Sequence, residues 1–79
     1  MTPNDIRARI RADTFVPVRV VMNSGESYEI KVAEFAVVTM SALHIFPLPK
    51  PGTDVPEGVP VVCDVRNISA LVPLASQAA

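Results

Sequence analysis

The sequence predicts a mainly β fold, in which one short N-terminal helix precedes five short strands bent into a small antiparallel barrel. Three observations carry this expectation. Residues 18–32 alternate apolar and polar side chains on both sides of an Asn-Ser-Gly turn, the period of two that marks half-buried strands. The later apolar runs are short and are broken by Ser, Pro and Gly. Five strands laid flat would leave one apolar face uncovered, whereas curling them around that face removes most edges and makes one core.

The helix is expected over residues 2–13. Thr2 suits the N-cap, and Pro3 falls at the first helical position, where its missing N–H costs nothing. Asp5 complements the positive end of the helix dipole. Ile6 and Ile10 share one face, and so short a helix must dock that face on something. The barrel is expected over 15–74. Pro17 biases Val16 toward extended backbone. Val18, Val20 and Met22 then alternate with Arg19, Val21 and Asn23, and Gly25 is free to take positive φ in the turn. Tyr28, Ile30 and Val32 alternate with Ser27, Glu29 and Lys31 to make the second strand.

The run Phe35–Met40 continues that second strand past a bend at Ala33-Glu34, as barrel closure requires. Leu43–Leu48 is the third strand, Val59–Val65 the fourth and Ile68–Leu74 the fifth, with Arg66-Asn67 as a tight connection between the last two. Residues 47–60 hold five of the eight prolines and two of the three glycines, so they form a loop stiffened by proline. The tail, residues 75–79, is expected to fray.

Composition narrows the function classes. A chain of 79 residues that is 49% hydrophobic can build one core, and it is too apolar to be disordered. Cys63 is the only cysteine and His44 the only histidine, so neither an intrachain disulfide nor a four-ligand Cys/His zinc site can form. Domains this small usually gain stability from disulfides, metals or oligomerisation, and the last is the one left open. No apolar run approaches the roughly 20 residues of a membrane helix, and the N-terminus lacks the pattern of a signal peptide. A cytoplasmic protein without a cofactor or membrane partner is therefore expected. Residues 1–19 hold Arg7, Arg9, Arg11 and Arg19 against Asp5 and Asp13, while three cations face six carboxylates in the remainder.

The order helix, Pro-Val-Arg-Val-Val-Met-Asn-Ser-Gly, bent strand with Phe35, variable loop and closing Ile-Ser-Ala-Leu-Val-Pro resembles the Sm-like fold, a small SH3-like barrel, and in particular the Hfq type of RNA chaperone. The resemblance covers residues 5–74 and lies in pattern more than identity. It implies a five-stranded barrel with an N-terminal helix, subunits joined into a ring through their last two strands, and RNA bound on the ring. Ile30 stands where Sm-like chains often keep a glycine. Asp64, Val65 and Arg66 stand where the Hfq type has Tyr-Lys-His, so only Arg66 keeps a positive charge there. The plan also resembles short bacterial proteins without an assigned activity, through Phe15-Val-Pro17, Ser24-Gly25 and Ala33-Glu34-Phe35.

Two partners follow. A second copy of the chain would pair the terminal strands through Val61, Val62, Val65, Ile68, Ala70 and Val72. Single-stranded RNA would take phosphate contacts from Arg7, Arg9, Arg11, Arg19 and Arg66. Against the second stands a plain solvated helix face, with Arg9 pairing to Asp5 or Asp13 at four-residue spacing. Tyr28 and Phe46 have the chemistry to stack on bases, although core packing is the commoner role of such aromatics. His44 and Cys63 lack positioned catalytic partners at any motif spacing, so no enzyme is expected. Pro-Leu-Pro-Lys-Pro reads as a stiff loop, or else as a polyproline-type ligand. Of these options, a homo-oligomeric binding or scaffold module is the leading expectation and an RNA-binding protein the alternative.

Overall fold

The structure is a computed structural model, and it describes residues 1–53 and 55–74. Helix α1 (Pro3–Ile10) is followed by β1 (Val18–Met22), β2 (Ser27–Ile30), β3 (Ala36–Val38), β4 (Ala42–Ile45), β5 (Val61–Asp64) and β6 (Ile68–Pro73). Short 3₁₀ turns at Ala33–Phe35 and Val65–Asn67 join β2 to β3 and β5 to β6. The strands make two three-stranded antiparallel sheets, ordered β2-β1-β6 and β3-β4-β5.

The expected closed barrel of five strands is therefore corrected to six strands in two sheets. The physical cause lies at Ala33–Phe35. There the Phe35 N–H donates to Val32 O at 3.1 Å and the Ala36 N–H turns back to Ala33 O. Those local bonds replace ladder bonds, so the expected long bent strand divides into β2 and β3. At the other end, β5 pairs with β4 alone and β6 with β1 alone among the described residues, so no ladder closes the ring of strands.

Other boundaries tighten. The helix ends at Ile10 rather than residue 13, because Arg11 already has non-helical backbone while its N–H closes the last turn on Arg7 O. Its start follows the capping-box logic: Thr2 accepts from the Asp5 N–H at 3.1 Å, and Asp5 accepts from the Thr2 N–H at 3.3 Å. The third expected strand stops at Ile45 as β4, ahead of Pro47 and Pro49. The fourth is shorter, as β5, and the Arg66-Asn67 connection is a 3₁₀ turn capped by Asp64, which accepts from the Arg66 N–H. The expectation of a frayed tail falls on residues 75–79, outside the described residues.

The opening hairpin forms as expected. Asn23, Ser24 and Gly25 make a three-residue loop between Met22 and Glu26, with Gly25 at φ +96°. That is the left-handed position such loops require, and glycine takes it without a Cβ penalty. Alternation then sends Val18, Val20 and Ile30 inward. Sheet β3-β4-β5 contributes Ala36, Leu43, Ile45 and Cys63 to the same buried cluster, and α1 adds Ile6 and Ile10. No helix among the described residues is long and apolar enough to cross a membrane.

Two substitutions check this packing by urea unfolding. Leu43→Ala empties a fully buried site and is expected to cost about 2–5 kcal/mol. Gly25→Ala has open space around its new methyl group, so its expected cost of about 1–2 kcal/mol comes from left-handed backbone alone.

Candidate functional site

The features that face outward are two clefts, an apolar strand edge and a set of arginines. Both clefts involve Tyr28, which alternation in β2 points inward opposite Val20. The first cleft, of about 390 Å³, is walled by Tyr28, Phe35, Phe46, Leu48, Val59 and Val61. The second, of about 520 Å³, has a mixed polar and apolar lining that includes Met22, Glu26, Tyr28, Val62, Cys63 and Asp64. The structure thus brings the two stacking candidates, Tyr28 and Phe46, to one groove. Phe35, which the sequence places in the long bent strand, is half-buried and walls the same groove. The signal missed there is the 3₁₀ turn, which resets the alternation so that Ala36 points inward instead.

In the second cleft the Tyr28 hydroxyl donates to Glu26 Oε2 at 3.3 Å, and the Glu26 charge raises the phenol above its ordinary value. Desolvation, followed by the Glu26 charge, raises the Cys63 thiol as well. A thiol shifted upward is a poor nucleophile at neutral pH. His44 and Cys63 are on adjacent strands but alternate positions: His44 is opposite Val62, and Cys63 is opposite Leu43. Their side chains therefore leave opposite faces of the sheet and do not form a pair within one chain. Among the described residues no three His, Cys, Asp or Glu side chains group to hold a metal.

The five arginines do not gather into one basic surface free of partners. Arg19 pairs with Glu29, its direct cross-strand neighbour, at 3.3 Å. Arg66 grips Asp64 with Nε at 3.2 Å and Nη2 at 2.9 Å, and these bonds hold the Asp64 carboxyl below its ordinary value. Arg9 pairs with neither Asp5 nor Asp13; its Nη2 donates to Leu71 O of β6 at 3.4 Å. Arg7 on α1 and Arg11 just past its end remain exposed, with no ion pair among the described residues. Lys31 also approaches Glu29, at 3.9 Å. Lys50 and Glu57 clasp the proline loop across its base at 3.1 Å. Such exposed pairs contribute at most about 1 kcal/mol each.

The six interface candidates divide into two sets. Val65 and Ile68 are buried in this chain's own core, so their side chains are not part of its surface. Val61, Val62 and Val72 are exposed, at 36%, 58% and 40%, and Ala70 is half-buried.

Backbone bonding shows which edges are open. In an antiparallel ladder alternate residues bond one neighbour, and the residues between them point their N–H and C=O the other way. The Val65 N–H bonds Ser41 O in register with the β4–β5 ladder, so Val61, Cys63 and Val65 face β4 and Val62 faces outward. The same reasoning from Leu74 N–H to Pro17 O turns Leu71 and Pro73 of β6 outward. There Leu71 O already accepts from Arg9, and Pro73 has no N–H. β6 also carries a bulge against β1 at Val21/Met22. On β2 the outward-bonding positions are Ser27 and Glu29, with Lys31 next in line, and Glu29 is charged and paired. β3 has only three residues and is packed by α1. Short strands, charges, prolines and bulges are the usual devices that keep sheet edges from pairing. Along the β5 edge the outward positions are Pro60, Val62 and Asp64, so a proline and a paired charge flank one exposed apolar residue.

No protein-family model, curated protein or solved structure matches the chain, and nothing among these comparisons identifies an Sm-like superfamily.

The Cys63 environment makes two measurable statements. Ellman's reagent at pH 8 should label native Cys63 at least about tenfold more slowly than the urea-unfolded chain, since the folded thiol is buried and shifted upward. The upward shift means the folded state holds this proton more tightly than the unfolded state. Its stabilising contribution is complete below the ordinary value of 9.0 and is lost as pH rises through the folded value. The urea midpoint should therefore fall less steeply above pH 9 in Cys63→Val than in the natural chain.

Proposed function

We propose that this chain is a non-enzymatic, self-associating binding module, in which copies join through β5 and leave the Tyr28–Phe46 groove beside that edge as the ligand surface. The observation that carries the proposal is the exposed Val62 on the outer edge of β5. Val62 exposes 58% of its surface on a strand with outward-facing backbone groups and no nearby charge before Asp64. Pairing that edge would satisfy the open N–H and C=O groups and cover Val61 and Val62. It would also supply the additional buried surface that an 8.5 kDa chain without a disulfide stands to gain.

The RNA alternative has less support. A binder of phosphate needs guanidinium groups free to meet it. Arg19 and Arg66 are held by carboxylates and Arg9 by a carbonyl, while Glu26 and Asp64 sit beside Tyr28 in the second cleft. Arg7 and Arg11 alone would contribute few phosphate contacts.

Light scattering across a micromolar concentration series tests the proposal. The weight-average mass is expected to rise to at least twice the 8.5 kDa of one chain. A mass fixed at one chain over the whole series would overturn it. A fluorescent oligouridine that binds at low salt and dissociates steeply as salt rises would favour the RNA alternative instead.

A further inference from the structure

We infer that two copies join antiparallel, β5 against β5, about a twofold axis that passes beside Val62, and so make a closed dimer in place of a ring. The inference rests on the self-association proposed above and names its geometry. A ring needs two different edges, one on each side of every subunit, and a twofold dimer needs one edge that complements itself. The second edge a ring would use, that of β6, is already blocked. Its outward carbonyl at Leu71 accepts from Arg9, its outward position at Pro73 has no N–H, and the strand is bulged. The β2 edge is charged and β3 is three residues long. Among the described residues, β5 is left with itself as the matching edge.

The register follows from face, bonding and charge. Directly opposed residues of an antiparallel pair point to the same face. To keep a common outer face across the axis, each residue must meet one of equal parity, so the axis passes through a residue rather than between two. Centring on Asp64 would set two carboxylates directly opposite each other, which is destabilising. Centring on Cys63 would set Val62 against the Asp64 carboxylate of the other copy. Centring on Val61 would oppose Val62 and Pro60 of the other copy, and Pro60 has no N–H, so each of those pairs would make one bond instead of two. Centring on Val62 opposes the two valines, whose outward N–H and C=O then exchange both bonds. It also places Asp64 beside Pro60, which offers a carbonyl to the Asp64 N–H. The result is one six-stranded sheet. Its outer face carries an unbroken row of Val37, His44 and Val62 from one copy followed by Val62, His44 and Val37 from the other.

Cross-linking and mass together test this. Val62→Cys places two thiols across a hydrogen-bonded antiparallel pair, where Cα atoms lie about 5.5 Å apart, within disulfide reach. With diamide as oxidant, most of Val62→Cys should run as a covalent dimer on a non-reducing gel. The natural chain, whose Cys63 would lie opposite Val61, should stay uncross-linked. Val62→Lys should return the light-scattering mass to one chain, and Val37→Lys, at the far strand of the same face, should leave the dimer intact. Three outcomes would overturn the twofold arrangement while leaving self-association in place. These are a natural chain larger than a dimer, associated Val62→Cys that fails to cross-link, or loss of association in Val37→Lys, which would signal face-to-face stacking. A natural chain that stays monomeric at every concentration would overturn both the arrangement and the proposal beneath it.

Discussion

Each strand of an antiparallel sheet has two rows of backbone groups, and every row must find a partner or meet solvent. That constraint governs this molecule. With six strands in two sheets of three, four rows are left at edges. Three of them are disposed of locally. An Arg9 side chain, a proline and a bulge close the β6 edge, charge guards β2, and β3 is short and packed by α1. The helix therefore does two things at once: Ile6 and Ile10 complete the core, and Arg9 donates to a carbonyl on a strand edge. The fourth edge, β5, exposes Val62 between Pro60 and Asp64, and the proposed self-association rests on it.

The core explains why so small a chain can leave an edge open and still hold together. Twelve hydrophobic residues, drawn from α1 and both sheets, form a single buried cluster, and none of the described buried residues is polar or charged. Burial on this pattern needs no buried ion pair, whose desolvation would cost several kcal/mol per charge. The ion pairs sit outside, where they steer pairing more than they stabilise. Arg19 and Glu29 reinforce the β1–β2 register from the solvent side. Asp64 and Arg66 close the turn that sends the chain from β5 in one sheet to β6 in the other.

The arginines show how the same residue types can suggest one function in a sequence and serve another in a fold. Four of the seven cations fall in the first 19 residues, which suggests a phosphate-binding face. In the fold, Arg9 and Arg19 are turned toward the protein itself, one to a carbonyl and one to a carboxylate. The Arg9 partner, Leu71, is 62 residues away along the chain, so no sequence spacing announces that contact, whereas Arg19 and Glu29 face each other across the hairpin.

By itself the sequence determined the local features whose physics is local. Thr2, Pro3 and Asp5 start the helix, because a cap needs only residues within one turn. Asn23, Ser24 and Gly25 set the hairpin, and alternation assigned Val18, Val20 and Ile30 to the core side. The same reasoning overextended the second strand, since a run of apolar residues around Ala33–Phe35 does not reveal that backbone bonds there turn back on themselves. Tertiary structure alone decided that the strands divide into two sheets, that Val65 and Ile68 are core while Val61 and Val62 are surface, and which strands stand at the four edges. Those outcomes depend on which row of N–H and C=O groups each strand presents to its neighbours. That depends in turn on pairings between residues distant in the chain, about which a period of two says nothing.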